Sequence, residues 1–358
     1  MLLFHADELR HFAERVFVTA GTEPAQAAIV VDHLINANLT GHDSHGVQHI
    51  PGYVGSIQRG TIRPNARPDL AEDRGIAAIV DGAWTFGQVS ALFAAQLATA
   101  RARERGLCLV ALQRANHIGR LGEYTSRASA DGVVLIVSVG GMAHAVAPYG
   151  GKSGVLATNP FSIGFPAGRY TDFMLDFATS MIAAGKVMVA RAKHDQLPTG
   201  VLLDQEGNPT TDPNALLEGG ALLPFGAHKG SGLSILSALL NQVLVNVPAY
   251  ADENGQSAAF FLAIDSAIFR PRADVERDAA AVLQKIKSVP PAVGHTDVLI
   301  PGEPEAMSYA RRLQDGIPVP EDTWNAIRET AATLGLDLPV ISRGGPEPVL
   351  HQRDGCVG

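Results

Sequence analysis

Five stretches of the sequence gather side chains that can move protons or hold anions. The first is His42-Asp43-Ser44-His45-Gly46-Val47-Gln48-His49. A histidine beside a hydroxyl suits acid/base chemistry near neutral pH. The same residues also suit a helix end, where Asp and Ser satisfy backbone groups and histidines meet the C-terminal dipole. Metal ligation by His42, His45 and His49, as in a metal-dependent hydrolase or lyase, is a rival reading. It needs one continuous helix, and Gly41 and Gly46 interrupt it, so the reading assigns no metal. The second stretch, Asn116-His117-Ile118-Gly119-Arg120, follows an expected strand, where α/β enzymes place ligands. The third joins Thr158-Asn159-Pro160 to Asp176-Phe177-Ala178-Thr179-Ser180, whose carboxylate could accept ribose hydroxyls or cap a helix. The fourth, from Pro224 to Gly232, sets His228 and Lys229 at a helix start, an arrangement that favours a phosphate. The fifth, Pro301-Gly302-Glu303-Pro304-Glu305, reads as a surface turn.

Several familiar signatures fail. Gly140-Gly141 follows a strand without completing G-x-G-x-x-G, so the Rossmann dinucleotide turn is missing. Gly151-Lys152-Ser153 imitates a phosphate loop, but Val146 stands where its first glycine belongs. Neither G-x-S-x-G nor H-E-x-x-H occurs.

Apolar periodicity predicts the elements around these stretches. Helices are expected up to Gly41, with Thr22 capping the second at Glu23-Pro24, and again from Ile50 to Gly60. A strand at 76–80, a helix at 88–105, a strand at 107–112, a helix at 123–130 and a strand at 132–139 follow. Short strands fill 140–180, a helix 181–194, turns 195–220 and a buried helix 230–246. A strand at 258–268 and helices at 274–288 and 320–334 complete the pattern. Residues 342–358 lack periodicity and read as a mobile tail. Strands and helices interleave without strict alternation, which predicts a mixed α/β fold rather than a doubly wound sheet.

Composition sets the limits. At 358 residues the chain is long enough for about two domains. A hydrophobic share of 46% excludes wholesale disorder, and a net charge of −8 argues against nucleic acid. Two cysteines, Cys108 and Cys356, provide neither a disulfide framework nor a cysteine zinc site. The start mixes both charge signs and shows no secretory pattern. The uncharged run from Gly230 to Ala251 could span a bilayer in length, but its serines, Asn241, Gln242, Asn246 and Pro248 suit a buried helix better. The reading is a soluble, cytoplasmic enzyme with no membrane contact.

Taken together in this order, the motifs resemble the type-2 malate/L-lactate dehydrogenase family. The resemblance runs from about residue 5 to 335. It rests on GHDSHGV, PGYV, GTIRPNARP, NHIG, APYGG with ATNP, DFATS with AGK, HKGSGLS, PGEPE and QDGIPVP. NHIGRLG, DFATSMIAAGK and GNPTTDP place it nearest the hydroxycarboxylate dehydrogenase branch. The resemblance implies a non-Rossmann α/β fold, a mixed sheet with flanking helices, and a homodimer with its site near the interface. It implies an NAD(P)-dependent oxidoreductase acting on 2-oxo and 2-hydroxy acids, or in one branch on cyclic imino acids. A helical segment 1–75 would carry the catalytic motif and pack with 260–341, around a central cofactor-binding region 76–259. His45 matches the proton donor and Ser44 its partner; His117 matches a base in some members. His117, Ile118, Gly119, Arg120 and Leu121 match a cofactor-contacting loop. So do the segments Asp176, Phe177 and Ala178, His228 and Lys229, and Gly302, Glu303 and Pro304. Thr158 matches a substrate contact. His49 stands where many members carry an arginine that forks onto the substrate carboxylate. His49 lines the substrate position, and either Arg120, Arg63 or a partner residue binds the carboxylate or the substrate differs; Glu303 leans the cofactor towards NAD.

Overall fold

The computed structural model describes residues 1–168, 173–192, 194–245 and 257–336; the expected tail at 342–358 lies outside them. Strand β1 (Leu2–Phe4) leads into helices α1 (Ala6–Thr19) and α2 (Pro24–Leu39), then two 3₁₀ turns, Asp43–His45 and Val47–His49, and α3 (Ile50–Gln58). Pro24 opens α2 as a first-turn proline should, but Thr22 does not cap it: its hydroxyl is buried without a hydrogen bond. Next come β2 (Asp69–Asp73), β3 (Ala77–Asp81), α4 (Gly87–Arg105), β4 (Leu107–Ala115), α5 (Gly122–Ala130) and β5 (Val133–Val139). The middle holds β6 (Met142–Val146), β7 (Phe161–Gly164), β8 (Met174–Phe177), α6 (Ala184–Ala192), and the short strands β9 (Leu202–Leu203), β10 (Pro209–Thr210) and β11 (Ala221–Leu222). Helix α7 (His228–Ala238) continues as π-helix over Leu239–Leu244. The chain closes with β12 (Ser257–Asp265), α8 (Arg272–Lys287), α9 (Glu303–Asp315), β13 (Ile317–Val319) and α10 (Glu321–Thr333).

The main sheet has seven strands in the order β2-β3-β4-β12-β5-β7-β8. Only β3 and β4 pair in parallel, joined by the crossover helix α4; every other pairing is antiparallel. The late strand β12 enters between β4 and β5, so the sheet closes only when distant sequence arrives. Alanines 91, 94, 95, 98 and 102 give α4 a flat buried face that lies close on Val110, Leu112 and Phe261. A second core joins the N-terminal helices to α10, with Trp324 packed on Phe4 and Phe12 at centroid distances of 4.5 and 5.4 Å. The short strands form a separate sheet, β10-β9-β11-β6.

Two sequence expectations need correction. Residues 301–305 are only in part the expected surface turn: Pro301 and Gly302 form it, and Gly302 is then the left-handed N-cap of α9, with Pro304 in its first turn. The run expected as a buried helix is amphipathic in the reverse sense. Ser231, Ser234, Ser237, Asn241 and Gln242 face inward, while Ile235, Leu236, Leu239, Val243 and Leu244 are exposed. Ser237 and the Asn241 amide nitrogen bond to the sheet, as Ser237 Oγ lies 2.8 Å from Ser138 Oγ and donates to the Val139 carbonyl, while Ser231 and Ser234 bond to the loop residues Tyr149 and Asn159.

Candidate active site

The end of α2 is fastened before it delivers its titratable residues. The Asn38 amide donates to Asp43 Oδ1 at 2.6 Å, and its oxygen accepts the Val47 N–H at 2.9 Å. Arg312 reaches across from α9 to donate to the Asn38 carbonyl at 2.5 Å and to both Asp43 carboxylate oxygens. The turn so held presents Ser44 Oγ 3.0 Å from His45 Nδ1. Gly185 of α6 abuts Ser44, since a Cβ there would sit 3.0 Å from the Ser44 Cβ.

Three imidazoles and a phenol converge on this point. The His45 ring stacks on His117 at 5.7 Å, and His49 lies 4.8 Å from His117. His49 and Tyr53, four residues apart on one helical face, stack at 5.4 Å. The Tyr53 hydroxyl is 2.7 Å from His117 Nδ1 and accepts a hydrogen bond from Gln88 Nε2, also at 2.7 Å. His49 Nε2 donates to the Ser44 carbonyl at 2.8 Å.

Behind the rings, His33 of α2 accepts the Arg120 backbone N–H at 2.8 Å. Gly119 makes this approach feasible: its φ is +74°, and a Cβ would lie 2.3 Å from His33 Nε2. The Ile118 carbonyl is taken by Tyr124 Oη at 2.5 Å, and the Ile118 and Leu121 side chains are buried. Arg120 is buried too. Its side chain turns inward, 3.8 Å from Asp176, and its Nε has no hydrogen-bond partner. Asp176 Oδ2 accepts the Gly122 N–H at 2.8 Å.

Burial dominates the electrostatics. Loss of water lowers His45 to about 4, helped by His49, His42 and Arg120, and lowers His33 to about 3. His49 is lowered by burial against the opposing Ser44 hydrogen bond. His117 is exposed as a residue, but its Nδ1 side is covered by the Tyr53 hydroxyl. That loss of water, with His49, His45 and His33 around it, holds its pKa well below the ordinary histidine value. Burial pushes the Asp176 carboxyl up, opposed by Arg120 and the Gly122 N–H.

Other expected residues lie further along the same chain of contacts. Phe177 meets Phe225 edge-on at 5.7 Å, just ahead of α7. The Thr158 carbonyl accepts from both the backbone and hydroxyl of Thr179, next to the half-buried Ala178. His228 and Lys229 are exposed in the first turn of α7, which has no side-chain cap. His42 turns away to Glu305, 3.1 Å distant, so the three motif histidines do not converge; among the described residues no His, Cys, Asp or Glu group could hold a metal. The Glu303 carboxylate accepts from Lys287 at 2.6 Å and from the Ile300 N–H, which neutralises the charge expected to favour NAD. Arg63 is exposed, and its backbone bonds to Trp84 and Ala66. Sequence reasoning missed His33, Tyr53, Gln88 and Arg312 as site residues. Only Tyr53 left a signal, four residues beyond His49.

Comparison with known proteins agrees with this architecture. The malate/L-lactate dehydrogenase family matches residues 4–328. Hydroxycarboxylate dehydrogenase B of Escherichia coli O157:H7 is 37% identical over 344 residues, covering 93% of this chain and 94% of its own. L-sulfolactate dehydrogenase of Methanocaldococcus jannaschii is 34% identical, covering 89% and 93%. The structure of malate dehydrogenase from Pyrococcus horikoshii superposes with a TM-score of 0.83 at 29% identity, covering 94% of this chain and 96% of that one. A mixed seven-stranded sheet, an imidazole cluster at the end of α2 and matches along nearly the whole chain lead to one assignment: this chain belongs to the malate/L-lactate dehydrogenase family of oxidoreductases.

Proposed function

We propose that the protein interconverts a 2-oxo acid and its 2-hydroxy acid with NAD(P), and that His45 exchanges the proton. The observation that supports this most is His45 itself. Its Nδ1 is engaged by Ser44, its ring is desolvated, and its neighbours are two further imidazoles rather than carboxylates. The bound nicotinamide supplies or removes the hydride at C2 of the substrate. In reduction, the developing alkoxide takes a proton from His45; in oxidation, neutral His45 removes the hydroxyl proton. With a pKa near 4 before substrate arrives, His45 is ready as a base. An anionic substrate beside it restores some of the favourable electrostatics that burial removed and raises it towards a donor.

The residues present fit a dinucleotide. The uncapped first turn of α7 with Lys229 and His228 suits the pyrophosphate. The half-buried Asp176, beside Arg120, offers a carboxylate to a ligand, and Gly302 to Pro304 lead into Glu305, which bonds to His42 of the catalytic motif. In this reading two copies of the chain form the working unit, and the substrate binds beside His49 and Thr158.

The test mixes the protein with NADH or NADPH and a panel of 2-oxo acids and cyclic imines, following nicotinamide absorbance. His45→Ala is expected to lower kcat by roughly 100- to 10,000-fold while cofactor binding holds. Activity within a few-fold of wild type would remove His45 from the role. Lys229→Ala should weaken cofactor binding, and an unchanged dissociation constant would contradict its assignment.

A further inference from the structure

Three imidazoles surround the place assigned to the substrate, and hydrogen bonding distinguishes what each can offer. A 2-oxo acid presents only acceptors, its carboxylate and its keto oxygen, so the group that anchors it must bring an N–H or O–H. His49 has already given its Nε2–H to the Ser44 carbonyl, which can only accept. Neutral His49 has only a lone pair left, on Nδ1. His49 therefore does not replace the two-pronged grip of an arginine.

His117 is arranged differently. The Gln88 amide nitrogen donates to the Tyr53 oxygen, and the Tyr53 hydroxyl is 2.7 Å from His117 Nδ1. Reversing the Gln88 amide would leave its NH₂ buried and unpaired in place of its carbonyl, the costlier outcome of the two. The phenol has one proton, and among the described residues His117 Nδ1 is its only acceptor. A buried hydroxyl proton left without an acceptor is destabilising. Tyr53 O–H thus donates to His117 Nδ1, which must carry a lone pair, and the ring proton lies on Nε2. No described residue hydrogen-bonds to that Nε2, and His117 as a residue is exposed. The titratable groups around it are His45, His49, Tyr53 and His33.

We propose that Gln88 and Tyr53 fix the proton of His117 on Nε2, so that His117 is a hydrogen-bond donor to the bound 2-oxo acid and not the group that exchanges the proton. The proposal rests on the 2-oxo acid reading above. Tyr53 and Gln88 are positioning residues; they act through His117 and leave proton exchange to His45.

The decisive measurement is the tautomer itself, read by long-range proton–nitrogen correlation on protein labelled with ¹⁵N-histidine, the His117 signals being assigned by their loss in His117→Asn. The expected result is a protonated Nε2 and an unprotonated Nδ1 in wild type, and loss of that bias in Tyr53→Phe. In steady-state assays Tyr53→Phe should raise KM for the oxo acid roughly tenfold and change kcat much less, the effect of one weakened hydrogen bond to an anion. A proton on Nδ1 in wild type overturns the proposal, as does a tautomer unaltered by Tyr53→Phe. A large kcat loss at unchanged KM would also overturn it, by placing His117 in the chemistry. If Tyr53→Phe does not fold, the wild-type spectrum decides alone. The spectrum also separates the two readings, because it stands even if no 2-oxo acid is turned over.

Discussion

Four histidines packed around one small volume are compatible only while they are mostly neutral. His33, His45, His49 and His117 each have a pKa below the usual histidine value, burial being the first cause in every case. The unfolded chain binds protons near pH 6.5 and the folded one does not, so folding stability is complete above pH 6.5 and falls as pH drops from there towards 4. His33 makes the most specific contribution, because its Nε2 must stay unprotonated to accept the Arg120 N–H. Urea midpoints measured against pH should therefore decline below 6.5, and His33→Gln, whose amide oxygen can still accept, should flatten that decline. An equal slope in the variant would assign the effect to other groups. A related outcome concerns binding. If an anionic oxo acid raises the pKa of His45, its binding at pH 6 should take up protons, seen as calorimetric heats that vary with buffer ionisation enthalpy. Ser44 and His45 were legible because they adjoin; His33 was not, since its partner lies 87 residues away.

At the scale of elements, the site depends on how α9 grips the end of α2. Arg312 is the connection: its guanidinium meets the Asn38 carbonyl and both oxygens of Asp43, one residue before Ser44. Asp43 is partly solvated, so the ion pair alone adds little. The hydrogen bonds to the turn matter more, and Arg312→Ala should cost about 1–2 kcal/mol of stability. Because the turn aims His45, kcat should fall more than this loss of folded protein explains. Arg312→Lys, which keeps charge but not the fork, should recover stability better than kcat. Equal losses in both variants and both readouts would reduce Arg312 to a packing role. The sequence concealed this element because PGEP looks like a turn, and Gly302 and Pro304 instead start α9. The helices α2 and α10 were legible from their apolar patterning, as were the valine-rich strands. The place of β12 between β4 and β5 was not, because pairing order depends on contacts far apart in sequence.

At the scale of the whole molecule, the outer face of α7 and its π-helical extension is apolar and exposed. Val243 and Leu244 are 65% and 66% exposed and Leu239 51%, while the serines and Asn241 of the same helix are buried. A face of this kind is costly in water unless something covers it. No helix among the described residues is long and apolar enough to cross a membrane. The cover we propose is a second copy of the chain, consistent with a homodimer as the working unit. The first turn of the same helix carries His228 and Lys229, so a partner seated on this face and a cofactor at that turn would share one element. Leu239→Glu, at the centre of the stripe, should therefore halve the mass seen by light scattering at micromolar concentration. It should also weaken NADH binding, although residue 239 lies three turns from Lys229. A wild-type protein that is monomeric throughout that range would contradict the proposal. A monomeric variant with undiminished cofactor affinity would keep the dimer and break its link to the site.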